Sequence, residues 1–320
     1  MGILLQIENL KKYFSIELGF LRKVKVDLRA VDDVSFTIEE GETFGLVGES
    51  GCGKTTIGKL VLKLYEATSG KILFRGRDVT HFQGTPLDEY RKDIQAVFQN
   101  PYASLNPRMR IWRLIGEPLI VRGWPKKKVR EKVLELLELV MLPADCGPRF
   151  PHEMSAGQRQ QIAIARALSV NPKFIVLDEP TSLLDVSAQA SILNMIVGLQ
   201  KKLELTYLFI SHNLAVIRFL SNRVGVMYCG KLVELADSRK LYVSPRHPYT
   251  QALLASVPAP DPDLQAQEII LEGDVISPIN PPEGCRFYSR CRDRMEDCKK
   301  NEPPLKEIGP RHFVSCHLNS

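Results

Sequence analysis

Hydrophobic and polar positions alternate through Val34, Phe36 and Ile38, and a compact apolar run, TFGLVG (43–48), follows a glycine-containing turn. Alternation with period two predicts a half-buried strand, and the short apolar run predicts a buried one. Residues 56–64 (TIGKLVLKL) carry helical spacing, and 72–79 (ILFRGRDV) returns to strand-like β-branched and aromatic residues. The local order is strand, glycine loop, helix. Between about 107 and 170, Val129, Val133, Leu136, Leu137, Val140 and Met141 recur at three- and four-residue spacing behind the polar KKKVREK, which predicts helix. Two more apolar runs, FIVLDE (174–179) and YLFISH (207–212), flank a helical stretch, ILNMIVGLQKKL, and VGVMYCGKLVEL (224–235) ends the regular pattern. Strands alternating with helices predict an α/β protein with a mostly parallel sheet covered on both faces. Beyond about residue 244, Pro245, Pro248, Pro258, Pro260 and Pro262, then Pro278, Pro281 and Pro282, predict a linker and an extended, loop-rich tail.

The 320 residues hold 43 Lys and Arg against 37 Asp and Glu, a mildly basic net charge of +6, and 44% are hydrophobic. That composition fits one large globular domain or two and excludes a disordered or collagen-like chain. No apolar run reaches the roughly 18 residues of a membrane helix. Glu8, Lys11 and Lys12 interrupt the stretch a secretory signal would keep apolar, so neither a span nor an export signal is expected. The basic clusters Lys126–Lys128 and Arg22, Lys23 and Lys25 read as solvated faces.

Gly48-Glu49-Ser50-Gly51-Cys52-Gly53-Lys54-Thr55, followed by Thr56, fits G-x-x-x-x-G-K-[ST] between a strand and a helix. Glycines permit a tight loop whose amides point inward around phosphate oxygens, and the helix adds its positive end. In this arrangement Lys54 reaches the β- and γ-phosphates and the Thr55 hydroxyl ligates Mg²⁺. A chance match in a chain of this length is on the order of 1 in 100, which sets aside a glycine turn that merely holds a lysine. Downstream, the apolar run Phe174–Leu177 delivers Asp178 and Glu179 at its C-terminal end, where ligands of open α/β sheets bind. Asp178 suits the Mg²⁺ shell and Glu179 a general base that orients water; the bland alternative is a solvated strand end.

With Met154-Ser155-Ala156-Gly157-Gln158-Arg159-Gln160-Gln161 placed about twenty residues before that acidic strand, the chain resembles the nucleotide-binding subunits of ABC transporters over nearly its whole length. MSAGQ is similar to the family signature LSGGQ. The resemblance implies a P-loop NTPase (RecA-like) core, an antiparallel β subdomain and a helical subdomain near 101–168, together spanning 1–244. A loop-rich extension with the clustered cysteines follows over 245–320. It implies that Ser155, Gly157 and Gln158 contact the γ-phosphate bound to a second subunit, and a helix N-terminus is an anion site on physical grounds too. Ser155 with Gln158 three residues on also fits an ordinary capping box. Gln99 matches the glutamine that touches Mg²⁺ and the attacking water, Asp185 the loop that crosses the dimer interface, and His212 the histidine that senses the γ-phosphate. Tyr13, with Phe14 as its alternative, matches the aromatic that stacks on adenine, although the stretch FSIELGFLRKVKVDLR lengthens the separation from the phosphate loop.

Two residues depart from the signature, Met154 for leucine and Ala156 for the first glycine. The Ala156 methyl is expected to crowd a close backbone approach and to penalise positive φ, which predicts a weaker signature face and favours a heterodimer with a related ATPase subunit.

FQNPYASLNPRM (98–109), HPYTQALLASVPAPDP (247–262) and SPINPPEGCRFYSRC (277–291) resemble the ATPases of oligopeptide and dipeptide importers. The last two are read as marks of lineage with no role in ATP chemistry. The resemblance implies two transmembrane permease subunits, with a coupling helix docking near Gln99 to Arg110. It also implies an extracytoplasmic substrate-binding protein and a place at the cytoplasmic face of the membrane. Importers of nickel or other small solutes share such tails, so the cargo is not fixed. A soluble ABC ATPase working on nucleic acid would carry a long coiled-coil insertion or tandem cassettes; neither is present, so no nucleic-acid partner is expected. A regulatory, nearly inactive partner is the third reading, against which every catalytic position identified here is intact.

Cys285, Cys291, Cys298 and Cys316 are spaced C-x₅-C-x₆-C-x₁₇-C. In a reducing setting a metal site explains such a cluster better than disulfides, and four thiolates suit tetrahedral zinc or an iron–sulfur cluster, with buried free thiols as the alternative. The resemblance implies a 4Fe-4S cluster. His312 and His317, nearby, read as loop histidines.

Overall fold

The computed structural model describes residues 2–18, 24–256, 273 and 276–319. In chain order its elements are β1 (Ile3–Leu18), β2 (Val24–Glu39), β3 (Thr43–Val47), α1 (Lys54–Val61), β4 (Ser69–Phe74), β5 (Arg77–Asp78), α2 (Gly84–Asp93) and β6 (Ile94–Val97). Next come α3 (Pro101–Ser104), α4 (Ile111–Val121), α5 (Lys126–Leu139), α6 (Ala156–Leu168), β7 (Phe174–Asp178), α7 (Val186–Leu203), β8 (Thr206–Ile210) and α8 (Leu214–Leu220). The chain closes with β9 (Arg223–Tyr228), β10 (Lys231–Asp237), α9 (Ser238–Val243), α10 (Pro248–Ala255), α11 (Glu296–Lys300), β11 (Lys306–Gly309) and β12 (His312–Val314). Two compact units divide it: one of residues 40–42 and 82–208, the other of 2–39, 43–81 and 209–320.

In the second unit, β1 and β2 form a long antiparallel ribbon, with β4 and then β5 added beside β1. Residues 14–18 and 24–29 of the stretch that separates Tyr13 from the phosphate loop therefore lengthen two paired strands and leave Tyr13 on β1, opposite Arg29. Residues 72–79 do not form one strand, because the chain turns at Arg75 and Gly76 into the short β5. β3 pairs in parallel with β9, but β10, β12 and β11 continue that sheet antiparallel, so the expected parallel sheet ends in an antiparallel edge. Leu46, Val47, Val224 and Val226 are fully buried, and Phe36 stacks on Phe44 at 4.7 Å. Each such apolar side chain contributes about 1.5–3 kcal/mol by leaving water.

The segment beyond residue 244 is not a plain linker. His247 caps α10, its Nδ1 accepting from the Tyr249 amide at 3.0 Å, and Pro248 occupies the first turn, where its missing N–H removes nothing. Pro258, Pro260 and Pro262 lie outside the described residues. His312 is no loop histidine either: it is buried on β12 with Nε2 2.7 Å from Oε1 of Glu234.

In the first unit, α4, α5 and α6 pack on one another through Ile111, Leu114, Ile115, Val129, Val133, Leu136 and Ile162, which matches the predicted helical stretch. Gly116 permits the α4–α5 approach, since a Cβ there would stand 2.6 Å from Cγ1 of Val129. Arg166 ties the helices by donating to Glu117 Oε2 at 2.7 Å and to the Ser104 carbonyl at 2.9 Å. β6 runs parallel to β7, and β8 lies on the other side of β7. No helix among the described residues is long and apolar enough to cross a membrane.

Candidate functional site

Gly48 to Gly53 link the buried β3 to α1, and Lys54, Thr55 and Thr56 form the first helical turn. Gly48 and Gly53 have φ of 148° and 108°, and a Cβ at either would stand 2.2 Å from a carbonyl oxygen, of Met227 and of Ala30. Only glycine allows both the torsion and the approach. Gly53 leaves the helix without a side-chain cap, and the first amides of a helix have no intrahelical acceptor, which suits an anion. The Lys54 ammonium is buried and donates to the carbonyls of Gly48 at 2.7 Å and Glu49 at 2.9 Å. Thr55 is exposed, Ser50 and Gly51 lie on the open side of the loop, and burial pushes the Cys52 thiol up, which keeps it neutral. Tyr13 donates through its hydroxyl to Asp32, and Arg29 stands 5.5 Å from its ring centroid. Burial first, then the Asp32 hydrogen bond, pushes its phenol up to about 12. Phe14 packs edge-on against Tyr65. His212 is exposed just before α8 of the same unit.

In the other unit, the parallel register pairs Val97 with Leu177, so Gln99 and Glu179, each two residues further on, emerge side by side. Gln99 Nε2 donates to Glu179 Oε2 at 2.8 Å. Asp178, the last residue of β7, is buried at 8% exposure, and Glu179 has φ of 48°. A left-handed glutamate before a proline stores about 1–3 kcal/mol of strain, the kind concentrated at functional sites. Ser155 and Gln158 form a reciprocal capping box on α6: Ser155 Oγ accepts from the Gln158 amide at 3.2 Å, and Gln158 Oε1 accepts from the Ser155 amide at 3.0 Å. The capping reading and the signature reading thus occupy the same residues. Asp185 caps α7 by accepting from the Ala188 amide at 2.8 Å.

Ala156 corrects one expectation. It is the first residue of α6, with ordinary helical backbone, so the methyl meets no left-handed penalty and Gly157 follows it inside the turn. The sequence argument for a weakened signature, and through it for a heterodimer, loses that premise.

Two stretches read as lineage alone are in contact with the phosphate loop. The Tyr249 hydroxyl accepts from the Glu49 amide at 2.9 Å, and Arg290 pairs with the Glu49 carboxylate at 2.8 Å. Arg286 pairs with Asp32, which also holds Tyr13. Motif spacing could not find these residues, because 241 residues separate Arg290 from its partner.

In the tail, the Cys285 amide donates to the Cys298 carbonyl at 2.7 Å, which sets those two cysteines on adjoining segments. Burial, reinforced by the other three thiols, pushes Cys285 up to about 12. Among the described residues no three His, Cys, Asp or Glu side chains form a group arranged to hold a metal ion.

Residues 31–182 match the family model described as "ABC transporter", and residues 233–298 match "Oligopeptide/dipeptide transporter, C-terminal region". The chain is 49% identical to the oligopeptide transport ATP-binding protein AppF of Bacillus subtilis, over 99% of this chain and 98% of that one. It is 47% identical to a putative peptide import ATP-binding protein of Brucella ovis, over 98% of this chain and 97% of that one. The dimeric post-hydrolysis state of the ATP-binding cassette MJ0796, bound to ADP and Pi, superposes with a TM-score of 0.66 at 26% identity, covering 74% of this chain and 99% of that one. The chain therefore belongs to the ATP-hydrolysing subunits of ABC transporters, in the group that carries the oligopeptide/dipeptide transporter C-terminal region.

Proposed function

We propose that this chain hydrolyses ATP to drive the import of peptides through a membrane complex. What carries the reading is a complete phosphate loop and an oligopeptide-type extension in one chain, at 49% identity to a peptide-transport ATPase over nearly its full length.

Each residue's part follows from its chemistry. The loop amides from Gly51 to Thr56 and the Lys54 ammonium hold the β- and γ-phosphates, and Tyr13 stacks on adenine. The Thr55 hydroxyl, the Asp178 carboxylate and the Gln99 side-chain carbonyl are oxygen donors of the class Mg²⁺ takes, and the ion when bound neutralises phosphate charge. Glu179 orients the attacking water and accepts its proton, while Gln99 fixes that carboxylate from one side. His212 senses the γ-phosphate. Ser155, Gly157 and Gln158 close over the ATP of a second ATPase subunit, with Asp185 at the subunit boundary. Closing and reopening this pair moves two permease subunits docked near Gln99 to Arg110, which hold the chain at the cytoplasmic face of the membrane. An extracytoplasmic binding protein supplies the peptide.

The extension's Cys285, Cys291, Cys298 and Cys316 are proposed to hold a 4Fe-4S cluster, a reading supported by the soft donor chemistry of four thiols in one extension and by the backbone bond that joins Cys285 to Cys298. A cluster there supplies a crosslink to a segment with few apolar runs. Iron and acid-labile sulfide near stoichiometry, lost in Cys291→Ser, would support it; zinc or no metal would overturn it.

The transport reading is tested by reconstituting the chain with its permeases and binding protein in vesicles and following ATP-dependent uptake of a tripeptide against nickel. Peptide uptake is expected. Uptake of nickel alone would overturn the peptide assignment, and the subunits recovered from the complex distinguish a homodimer from a heterodimer.

A further inference from the structure

Glu49, the second residue of the phosphate loop, is gripped twice by the C-terminal extension. Both oxygens of its carboxylate meet Arg290, Oε2 to Nη1 at 2.8 Å and Oε1 to Nη2 at 3.1 Å. Its amide donates to the Tyr249 hydroxyl at 2.9 Å. The ion pair is no surface contact, because the Arg290 side chain is 8% exposed and that of Glu49 25%. A planar guanidinium facing a carboxylate through two parallel bonds admits one orientation, which a lysine cannot reproduce. The far side of the guanidinium is also fixed, 5.8 Å from the Tyr228 ring centroid, and Tyr228 packs against Tyr249 and Phe287. Arg290 therefore stands on a rigid aromatic base.

The loop it holds has little stiffness of its own. Gly48, Gly51 and Gly53 all have positive φ, so the shape of residues 48–53 depends on what they touch. A fixed shape matters here, since converging amides bind an anion well only when they need no rearrangement.

We propose that Arg290 is a positioning residue for the phosphate loop: through Glu49 it holds the loop in the shape whose amides receive phosphate, so the C-terminal extension is a working part of the ATP site. The inference rests on the ATPase reading and adds to it a residue outside the nucleotide motifs. Arg290 acts through its ion pair with Glu49.

The test uses the full chain with ATP and, as a base-free probe, inorganic tripolyphosphate. Equilibrium binding and steady-state kinetics are measured for wild type, Arg290→Met, Arg290→Lys, Glu49→Gln and the double variant Glu49→Gln with Arg290→Met. Loss of a charged bidentate contact predicts about tenfold weaker binding of both probes in Arg290→Met, with KM raised more than kcat is lowered. Arg290→Lys should recover part of the loss, and the double variant should bind no more weakly than Arg290→Met alone. Binding of both probes within about twofold of wild type in Arg290→Met, or losses that multiply in the double variant, would overturn the proposal. Should Arg290→Met lose its melting transition, Glu49→Gln carries the same test, because its side chain is partly solvated and its replacement is isosteric. A wild-type chain that binds neither probe would instead overturn the ATPase reading beneath it.

Discussion

The side-chain amide of Gln99 donates to the Glu179 carboxylate at 2.8 Å, at the ends of two parallel strands whose register sets the two residues side by side. The bond holds the carboxylate through Oε2, and the left-handed φ of Glu179 fixes the direction of its Cα–Cβ bond. Glu179→Gln keeps the shape and removes the base, so ATP turnover should fall by about 10²–10⁴ while ATP binding persists. Gln99→Ala removes only that orienting bond and should lower turnover by about tenfold. Single-turnover hydrolysis by the two variants checks the order; equal losses would mean that Gln99 does more than orient its neighbour.

Three glycines of the phosphate loop differ in what a methyl would meet. At Gly48 and Gly53 a Cβ would stand 2.2 Å from a backbone carbonyl oxygen, whereas at Gly51 nothing lies within 4 Å. Alanine at Gly51 therefore carries only the left-handed torsional penalty, about 1–2 kcal/mol. Gly48→Ala and Gly53→Ala must also move backbone, and their loss should exceed that figure, with nucleotide binding abolished. Thermal melting with and without ATP separates the cases, and a Gly48→Ala protein as stable as Gly51→Ala would contradict the geometry.

The phosphate loop, the acidic strand end and the order of motifs were legible in the sequence because their chemistry is local: glycines, a lysine and a hydroxyl within eight residues, or two acids behind an apolar run. The helical stretch was legible from its period. Arg290 and Tyr249 were not, since a partner 200 residues or more away leaves no trace in periodicity, and their stretches showed only prolines, aromatics and cysteines. Proline density misled at Pro248, which begins a helix instead of breaking one. The β1–β2 ribbon was hidden for a third reason. The charged stretch 14–29 read only as added length before the phosphate loop, while the antiparallel register that pairs Ser15 with Asp27 and Tyr13 with Arg29 places its described residues on two paired strands.

Ala156 offers a test of how much its methyl matters. With Ala156 already in helical backbone at the start of α6, replacement by glycine relieves no torsion. Ala156→Gly should leave ATPase activity within about twofold of wild type and lower stability by up to about 1 kcal/mol, the ordinary difference between the two residues in a helix. Activity and urea unfolding measure both. A severalfold gain in activity would restore the idea that this signature face is handicapped, and with it the argument for unequal sites in a heterodimer.

His247 gives the fold a pH dependence whose direction follows from its position. The ring is buried, its Nδ1 accepts from the Tyr249 amide at 3.0 Å, and its own amide donates to Glu234 Oε2 at 2.9 Å. Burial lowers its pKa from 6.5 to about 4, against an opposing pull from the Glu234 charge. Between those values the unfolded chain holds a proton that the folded chain does not, so stability rises with pH across that window. The contribution is complete above about pH 6.5 and is lost as the pH falls toward 4, in total roughly 3 kcal/mol at about 1.4 kcal/mol per unit. His247→Asn keeps a side-chain oxygen to cap α10 and removes the titration. Urea unfolding of both proteins from pH 7.5 to about 4 should show a shallower decline for the variant, the acidic groups common to both contributing equally. Parallel declines would place the pH dependence elsewhere and would leave His247 as a cap and nothing more.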